Sequence, residues 1–314
     1  MRHLPVLVLV AILAAIPLLG ASDAVLNFLI GTLIIALAAQ GWNILAGLGG
    51  QVSFGHAAFY GTGAYVSAVL QLRYGVNAWA AALAGIVAGA AVGAAIGALV
   101  FRAGLRGSYF ALVTLAFAEV FRIIANAAPI TGAAAGLLIR LDPRPSHFQF
   151  AARATFFYVA LVCVTLALAL TASIVNARFG AQLAAIRENE EAARALGIDT
   201  FATKLRAMTL SAGITAAAGV LYLQYYLYID ANLAFGTGVS VAALLAPVVG
   251  GIGTVLGPVL GALGLHALGE VTQIVAGTVP GIDQVLFGIL LVAAIAFLPG
   301  GLARGLAASR KAAS

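Results

Sequence analysis

Long apolar runs separated by short polar connections make up nearly the whole chain. The runs are continuous instead of alternating with polar residues, which indicates membrane-spanning helices and not strands. We predict ten spans, which place both termini on the same side of the membrane, and the first is interpreted as a retained helix although it resembles a signal peptide. The predicted spans cover residues 4–20, 24–46, 53–71, 78–101, 107–128, 155–174, 207–228, 239–251, 255–276 and 282–298.

The composition of the 314 residues supports a lipid-embedded protein. Hydrophobic residues make up 63% and charged residues only 8%, whereas about a quarter of an ordinary soluble domain is charged. The fold class that follows is all-α integral membrane, a polytopic bundle of about ten helices forming one transmembrane domain over residues 1–314. The net charge of +6 reflects membrane topology and gives no reason to expect a nucleic-acid partner.

Motifs for chemistry are missing from the sequence. It contains no G-x-x-x-x-G-K-[ST] loop, so the chain is not expected to bind ATP itself. It also has no metal-ligand cluster and no cofactor fingerprint, and the single Cys163 is expected to be a small buried hydrophobe. We therefore expect a protein that is not an enzyme, with no metal and no cofactor of its own.

One polar stretch, residues 175–206, interrupts the apolar pattern. Residues 181–196 are good helix formers and Gly197 is placed to cap the helix. The face shared by Leu183, Ile186, Ala193 and Leu196 predicts an amphipathic helix, with the i,i+4 pairs Arg187–Glu191 and Glu190–Arg194 on its polar side. Such a helix could be a connector on the membrane surface or a docking element for a soluble partner.

Charge asymmetry places this stretch in the cytoplasm. With residues 175–206 inside, most of the 16 Lys and Arg residues lie on the cytoplasmic side, as the positive-inside rule requires. The basic residues left near or beyond the outer face are Arg73, Arg122, Arg140, Arg144 and Arg153.

Glycine interrupts the apolar pattern in both halves of the chain. Residues 41–65 bracket Gln51, Ser53 and His56 with glycines, and residues 247–262 form a second interruption rich in Gly and Pro. Broken helices near the membrane midplane are how transporters build polar sites, although small residues also serve helix packing. Both interpretations stay open for the first break. The four-residue glycine period at 85–97 favours close helix packing, within the chain or against another subunit.

Four ionisable residues lie in predicted spans as two pairs. Glu119 and Arg122 share a helix face at i,i+3, which suits either an internal ion pair or a place on a transport pathway. His266 and Glu270 lie at i,i+4 and are expected to hydrogen-bond to each other.

Several of these runs together resemble one family. AIRENEEAARALGID, GQVSFGHAAFYGTGAY, RGSYFALVTLAFAEVFR and VGGIGTVLGPVLGA are similar to signatures of the LivM/LivH-type permeases of ATP-binding-cassette importers, which carry branched-chain amino acids. The resemblance covers about residues 40 to 262. It implies a permease in the bacterial inner membrane with both termini cytoplasmic. It also implies a second related permease, two cytoplasmic ATPase subunits that bind ATP and Mg²⁺, and a periplasmic substrate-binding protein.

The resemblance also implies roles for particular residues. The ATPase-coupling residues would be Arg187, Glu188, Asn189, Glu190, Ala192, Ala193, Arg194, Gly197 and Ile198. The translocation path would include Gln51, Ser53, His56, Tyr60, Thr114 and Glu119.

The chain departs from the family pattern at two places. Residues 131–137 read TGAAAGL where a TGGxxGL run is usual, and Ala242 stands where a glutamate is typical. Other amino acids, urea, amides and small carboxylates therefore remain candidate substrates. The alternative function is a proton-coupled secondary transporter that uses Glu119, His56 or Glu270.

Overall fold

The computed structural model describes residues 4–276 together with residues 282, 285, 288 and 289. The predicted tenth span, 282–298, lies outside the described residues apart from those isolated positions. The elements in chain order are α1 (Leu4–Leu18), α2 (Asp23–Trp42, continued by a π-helix over Asn43–Leu48), α3 (His56–Tyr74), α4 (Ala78–Arg102), α5 (Gly107–Ala127), β1 (Leu137–Leu138), α6 (Arg153–Asn176), α7 (Arg178–Glu188), α8 (Glu190–Ala195), α9 (Thr200–Tyr226), β2 (Tyr228–Ile229), α10 (Ala231–Phe235), α11 (Thr237–Gly250) and α12 (Gly257–Ala276).

Within the described residues, seven helices are long and apolar enough to cross a membrane, so the chain is an all-α multi-pass membrane protein. The predicted number of about ten is not confirmed. Helix α1 has only 15 residues, and the 19-residue α3 is missing from the qualifying set, which consists of Asp23–Leu48, Ala78–Arg102, Gly107–Ala127, Arg153–Asn176, Thr200–Tyr226, Ala231–Gly250 and Gly257–Val275.

The polar stretch is folded differently from the prediction. The single helix expected over 181–196 is two helices, because Asn189 is extended (φ −158°, ψ 108°) and separates α7 from α8. The span expected to begin at 207 begins at Thr200, so Lys204 and Arg206 belong to α9 and not to a loop.

Helix α9 is the centre of the bundle, and α2, α3 and α4 pack around it. The glycine period of α4 is what permits the closest of these contacts. A Cβ on Gly89 would come 2.3 Å from the Ala216 Cβ, and one on Gly93 would come 2.2 Å from the Ala212 Cβ. The predicted packing face is therefore confirmed, but its partner is α9 of the same chain and not another subunit.

The two glycine-rich interruptions meet at one end of the bundle. The 20 residues of α2 extend about 30 Å before the first break begins at Asn43. The break thus starts near the end that carries α7. Its first residues, Asn43 to Gly47, are buried, and so are Ser53 and His56. The second interruption is the loop 251–256 between α11 and α12, and it contacts the first. We call this the α7 end. The opposite end carries the antiparallel pair β1–β2, in which Leu137 pairs with Ile229.

Candidate functional site

Helices α7 and α8 form a polar helix pair that is anchored by its apolar face. Leu183, Ile186 and Ala193 are buried, as the amphipathic pattern predicts. Leu196 was expected on the same face but its side chain is 81% exposed. Leu196 follows the last residue of α8 as its C-cap, so it does not continue the buried face of Ala193.

Local capping defines both ends of α8. The Asn189 side chain caps the N-terminus by accepting hydrogen bonds from the backbone N–H groups of Glu191 and Ala192, each at 3.0 Å. Gly197 ends the helix in the left-handed conformation, with φ at +84°, and Ile198 N–H donates to the Ala193 carbonyl at 3.1 Å. The predicted glycine cap is confirmed.

Glu190 is the hub that fixes α8 to the bundle. Its carboxylate lies 2.7 Å from Lys204 Nζ of α9, 3.3 Å from Arg106 Nε of the α4–α5 connection and 3.4 Å from Arg194 Nη2. Burial raises the pKa of Glu190, but the Lys204 hydrogen bond and the three positive charges outweigh it, so the pKa lies below its ordinary value. The Lys204 ammonium also lies 4.9 Å from the centre of the Phe101 ring.

Most of the residues expected to couple to an ATPase lie at the surface of this helix pair. The predicted Glu190–Arg194 pair is present, whereas Arg187 pairs with Glu188 at 3.3 Å instead of with Glu191. Glu190 and Ile198 are half-buried and Ala193 is buried, while the exposed members of the set are Arg187, Glu188, Asn189, Ala192, Arg194 and Gly197.

The Arg187 side chain also contacts the first glycine-rich break, which is bonded to the second. Its Nη1 donates to the Gly47 carbonyl at 3.0 Å. Asn43 joins the same backbone to the second break: its Nδ2 donates to the Thr254 carbonyl at 2.9 Å, and its Oδ1 accepts from Gly253 N–H at 2.8 Å. We call these five residues the clasp. It connects α7, the end of α2 and the loop 251–256 in one hydrogen-bonded unit.

The expected path residues of the first break mainly hold its irregular backbone. Gly55 N–H donates to the Ser53 hydroxyl at 3.1 Å, and Phe54 N–H donates to the Thr114 hydroxyl at 3.2 Å. His56 Nε2 lies 2.9 Å from Ser211 Oγ and the ring is fully buried. Gln51 is half-buried and its amide donates to the Gly49 carbonyl at 3.3 Å. Ser53, Thr114 and Gln51 thus satisfy backbone groups of the break, whereas the buried His56 Nδ1 has no partner within the described residues.

Glu119 is held by an ion pair on the outside of α5. Arg122 Nε donates to Glu119 Oε2 at 2.9 Å, so the predicted pair is present. Arg122 Nη1 also donates to Asn232 Oδ1 at 2.8 Å. The pair links α5 to α10, and both side chains are partly exposed.

A cavity of about 240 Å³ lies between α2, α3, α9, α11 and α12. Of the six expected path residues, only Tyr60 lines it. The lining residues are Gly31, Ile34, Ile35, Ala38, Tyr60, Tyr222, Tyr226, Gly238, Val239, Ala242, Ala243 and His266.

Sequence reasoning missed several of the residues that build these sites. The expected bond between His266 and Glu270 is wrong, because His266 Nδ1 lies 2.6 Å from Thr32 Oγ1 of α2. Asn43 was not singled out, although a carboxamide next to a glycine run is a signal for backbone bonding. Arg106 begins the run RGSYFALVTLAFAEVFR, but no partner was predicted for it. Within the described residues, no group of His, Cys, Asp and Glu is arranged to hold a metal ion.

Comparison with known proteins identifies relatives over most of the chain. Residues 24–295 match the family described as the permease component of the branched-chain amino acid transport system. The chain is 31% identical over 259 residues to the high-affinity branched-chain amino acid transport permease LivM of Salmonella typhimurium and 30% identical to LivM of Escherichia coli. It is 28% identical over 290 residues to LivH of Escherichia coli, covering 86% of this chain and 91% of that protein.

The LivM alignments cover 74% of this chain and 60% of each relative, so the chain spans less than two thirds of the length of those proteins. No solved structure matches the chain. None of the three relatives reported above is a proton-coupled transporter by its name.

Proposed function

Since this chain belongs to the family of permease components of branched-chain amino acid transport systems, we propose that it is the transmembrane permease subunit of an ATP-binding-cassette importer. The proposed substrates are branched-chain amino acids. Other amino acids, urea, amides and small carboxylates are the alternatives that the departures at residues 131–137 and Ala242 leave open.

The anchored helix pair α7–α8 is the observation that carries this proposal. An ATP-driven permease whose sequence contains no phosphate-binding loop receives the energy of ATP hydrolysis through contact with another subunit. The pair offers an exposed surface around Glu188, Glu191 and Leu196, and Glu190 ties it firmly to α9 and to the α4–α5 connection. Force applied to that surface would therefore reach the bundle without being lost in a flexible loop.

The proposed assembly contains this chain, a second related permease, two cytoplasmic ATPase subunits that bind ATP and Mg²⁺, and a periplasmic substrate-binding protein. It would lie in the bacterial inner membrane with α7–α8 in the cytoplasm. Adding α1, α3 and the segment 282–298 to the seven qualifying helices would give ten crossings, with both termini cytoplasmic.

The proposed mechanism follows the hydrogen bonds from the surface inward. Closure of the ATPase dimer would displace α7–α8, and Arg187 would transmit that displacement to Gly47. Because Asn43 bonds to both Thr254 and Gly253, the ends of α2, α11 and α12 would move together and open or close the α7 end of the bundle. Tyr60 lies on the proposed path, while Ser53, His56 and Thr114 would keep the first break in shape.

Purification from native cells tests the proposal directly. The chain would be tagged at its C-terminus, and the co-eluting subunits identified by mass spectrometry and reconstituted in liposomes with the binding protein. We expect two nucleotide-binding subunits to co-elute, and we expect ATP-dependent leucine uptake. A matched variant with Glu188→Arg and Glu191→Arg should insert normally and lose the ATPase subunits. Leucine uptake by the chain alone, driven by a proton gradient, would contradict the proposal.

A further inference from the structure

The 240 Å³ cavity lies in the half of the bundle away from the clasp. Its α2 residues, Gly31 to Ala38, precede Asn43 by more than one helical turn. Its volume is below the ~300–1,000 Å³ of sites for drug-sized ligands, so it suits a smaller solute.

The lining combines aliphatic walls with a few polar groups and contains no Asp, Glu, Lys or Arg. Ile34, Ile35, Val239 and the alanines form the apolar surface. Tyrosine hydroxyls are the main polar groups, and within the described part of the chain no hydrogen bond engages those of Tyr60, Tyr222 and Tyr226. Their hydroxyls are therefore available to a ligand.

The hydrogen bonds of His266 define which of its nitrogens can act. The Thr32 hydroxyl donates its only hydrogen to the Phe28 carbonyl at 2.8 Å. His266 Nδ1 lies 2.6 Å from the same hydroxyl oxygen, so Nδ1 carries the ring proton when the Thr32 hydrogen points to Phe28. In that arrangement the neutral ring has Nε2 as its acceptor. The ring is also stacked on Phe28, with centroids 4.6 Å apart, which fixes its orientation.

We propose that this cavity binds the substrate as an amino acid zwitterion with an aliphatic side chain. The aliphatic walls around Ile34 and Val239 take the side chain, His266 Nε2 accepts a hydrogen bond from the ammonium group, and the tyrosine hydroxyls donate to the carboxylate. A zwitterion has no net charge, so it needs no counter-ion here. The proposal rests on the transport function given above and adds a binding site within this one chain.

A second cavity, of about 370 Å³, lies next to the first. The two share Tyr226, and the second is also lined by Asn27, Arg153 and Gln224. Gln224 is 2% exposed, and within the described residues both polar atoms of its amide lack a partner. Unpaired buried amides are costly unless something satisfies them, so a polar solute passing here would meet groups ready to bond.

Filling the cavity tests the proposal in the reconstituted complex. Ala242→Phe places a ring in the cavity, and Val241→Phe places the same ring on the neighbouring residue, which is 40% exposed and does not line it. We expect leucine transport at saturating binding protein to fall at least tenfold in Ala242→Phe and to stay unchanged in Val241→Phe. His266→Phe, which keeps an aromatic ring but loses the acceptor, should lower transport about tenfold.

If Ala242 had only a structural role, its replacement would not change the preference of the transporter between substrates. Substrate selectivity is therefore the decisive measurement. The milder Ala242→Val should lower the rate for leucine more than that for valine, because it removes space without distorting the bundle. The elution volume of the complex should match wild type in each variant, and basal ATPase activity should match wild type in Val241→Phe.

Three results would overturn the binding site. Wild-type leucine transport in both Ala242→Phe and His266→Phe would refute the cavity while leaving the transport function intact. Phospholipid that co-purifies with the Val241→Phe complex and is lost from Ala242→Phe, with transport unchanged, would make the cavity a lipid site. A wild-type complex that moves no branched-chain amino acid would refute the transport function itself.

Discussion

Replacing Arg187 by Met should uncouple the helix pair from the bundle. Met keeps most of the length of the side chain and removes the donor that bonds to the Gly47 carbonyl at 3.0 Å. A hydrogen bond from a charged group contributes ~1.5–3 kcal/mol. The Arg187 side chain is 42% exposed, so water weakens the bond and about 1.5 kcal/mol is the suitable value. That corresponds to about a tenfold change in an equilibrium between two positions of α7.

The assay is leucine transported per ATP hydrolysed in the reconstituted complex. We expect this ratio to fall about tenfold in Arg187→Met, with the ATPase subunits still bound. Arg178→Met is the matched control, because it removes the same charge from the exposed first residue of the same helix. Gly47→Ala should reproduce the defect, since its Cβ would lie 2.1 Å from Asn43 Oδ1 and 2.8 Å from Gly253 N. Gly269→Ala is the control for glycine replacement, because a Cβ on Gly269 would have no neighbouring atom within 4 Å.

An unchanged ratio in both Arg187→Met and Gly47→Ala would refute the transmission role of the clasp. Loss of the ATPase subunits from Arg187→Met would also refute it, because Arg187 would then act at the docking surface itself.

Other predictions concern the hub, the helix packing and the ion pair. Because the pKa of Glu190 is lowered below the ordinary 4.5, its carboxylate stabilises the fold above that pH, and the stability is lost as the pH falls through the lowered value. Glu190→Gln should therefore lower the melting temperature at pH 7 and show a smaller further loss on acidification; parallel pH profiles for both proteins would contradict this. Gly93→Val should destabilise the bundle by about 1–3 kcal/mol, since its Cβ would meet the Ala212 Cβ at 2.2 Å, and a melting temperature equal to wild type would count against that packing. Glu119→Gln should retain ATP-driven uptake that is insensitive to a proton uncoupler, because Arg122 already pairs with the Glu119 carboxylate. Loss of uptake in Glu119→Gln would instead support a proton relay through Glu119.

The apolar pattern predicted most of the described architecture. Helices α4, α5 and α6 lie within two residues of the predicted spans at 78–101, 107–128 and 155–174, because nothing but continuous hydrophobicity determines them. The glycine period of α4 predicted a close helix contact, since a bare backbone face serves little else.

The sequence did not show that a charged residue of α9 is paired with a residue distant in the chain. Lys204 and Arg206 argued for a loop, yet α9 begins at Thr200. Lys204 is tolerated there because Glu190, fourteen residues earlier, lies 2.7 Å away. Hydropathy averages neighbours along the chain and cannot register a partner that is brought close only by folding.

The cavity could not be predicted for the same reason. Tyr60 came from the family resemblance, whereas His266 was paired with Glu270 on helical spacing alone. The actual partner, Thr32, is 234 residues away. A contact between the second and last described helices depends on how the whole bundle closes, and no local pattern encodes it.

The burial of Lys204 gives the protein an internal reporter. The chain has only two lysines, Lys204 and Lys311, and the Lys204 side chain is 5% exposed beneath Glu190. An amine-reactive label would modify Lys204 only while α8 is lifted from α9. The rate at which Lys204 is labelled, measured with and without nucleotide, would therefore report how often α8 separates from α9. No residue would have to be replaced for this measurement.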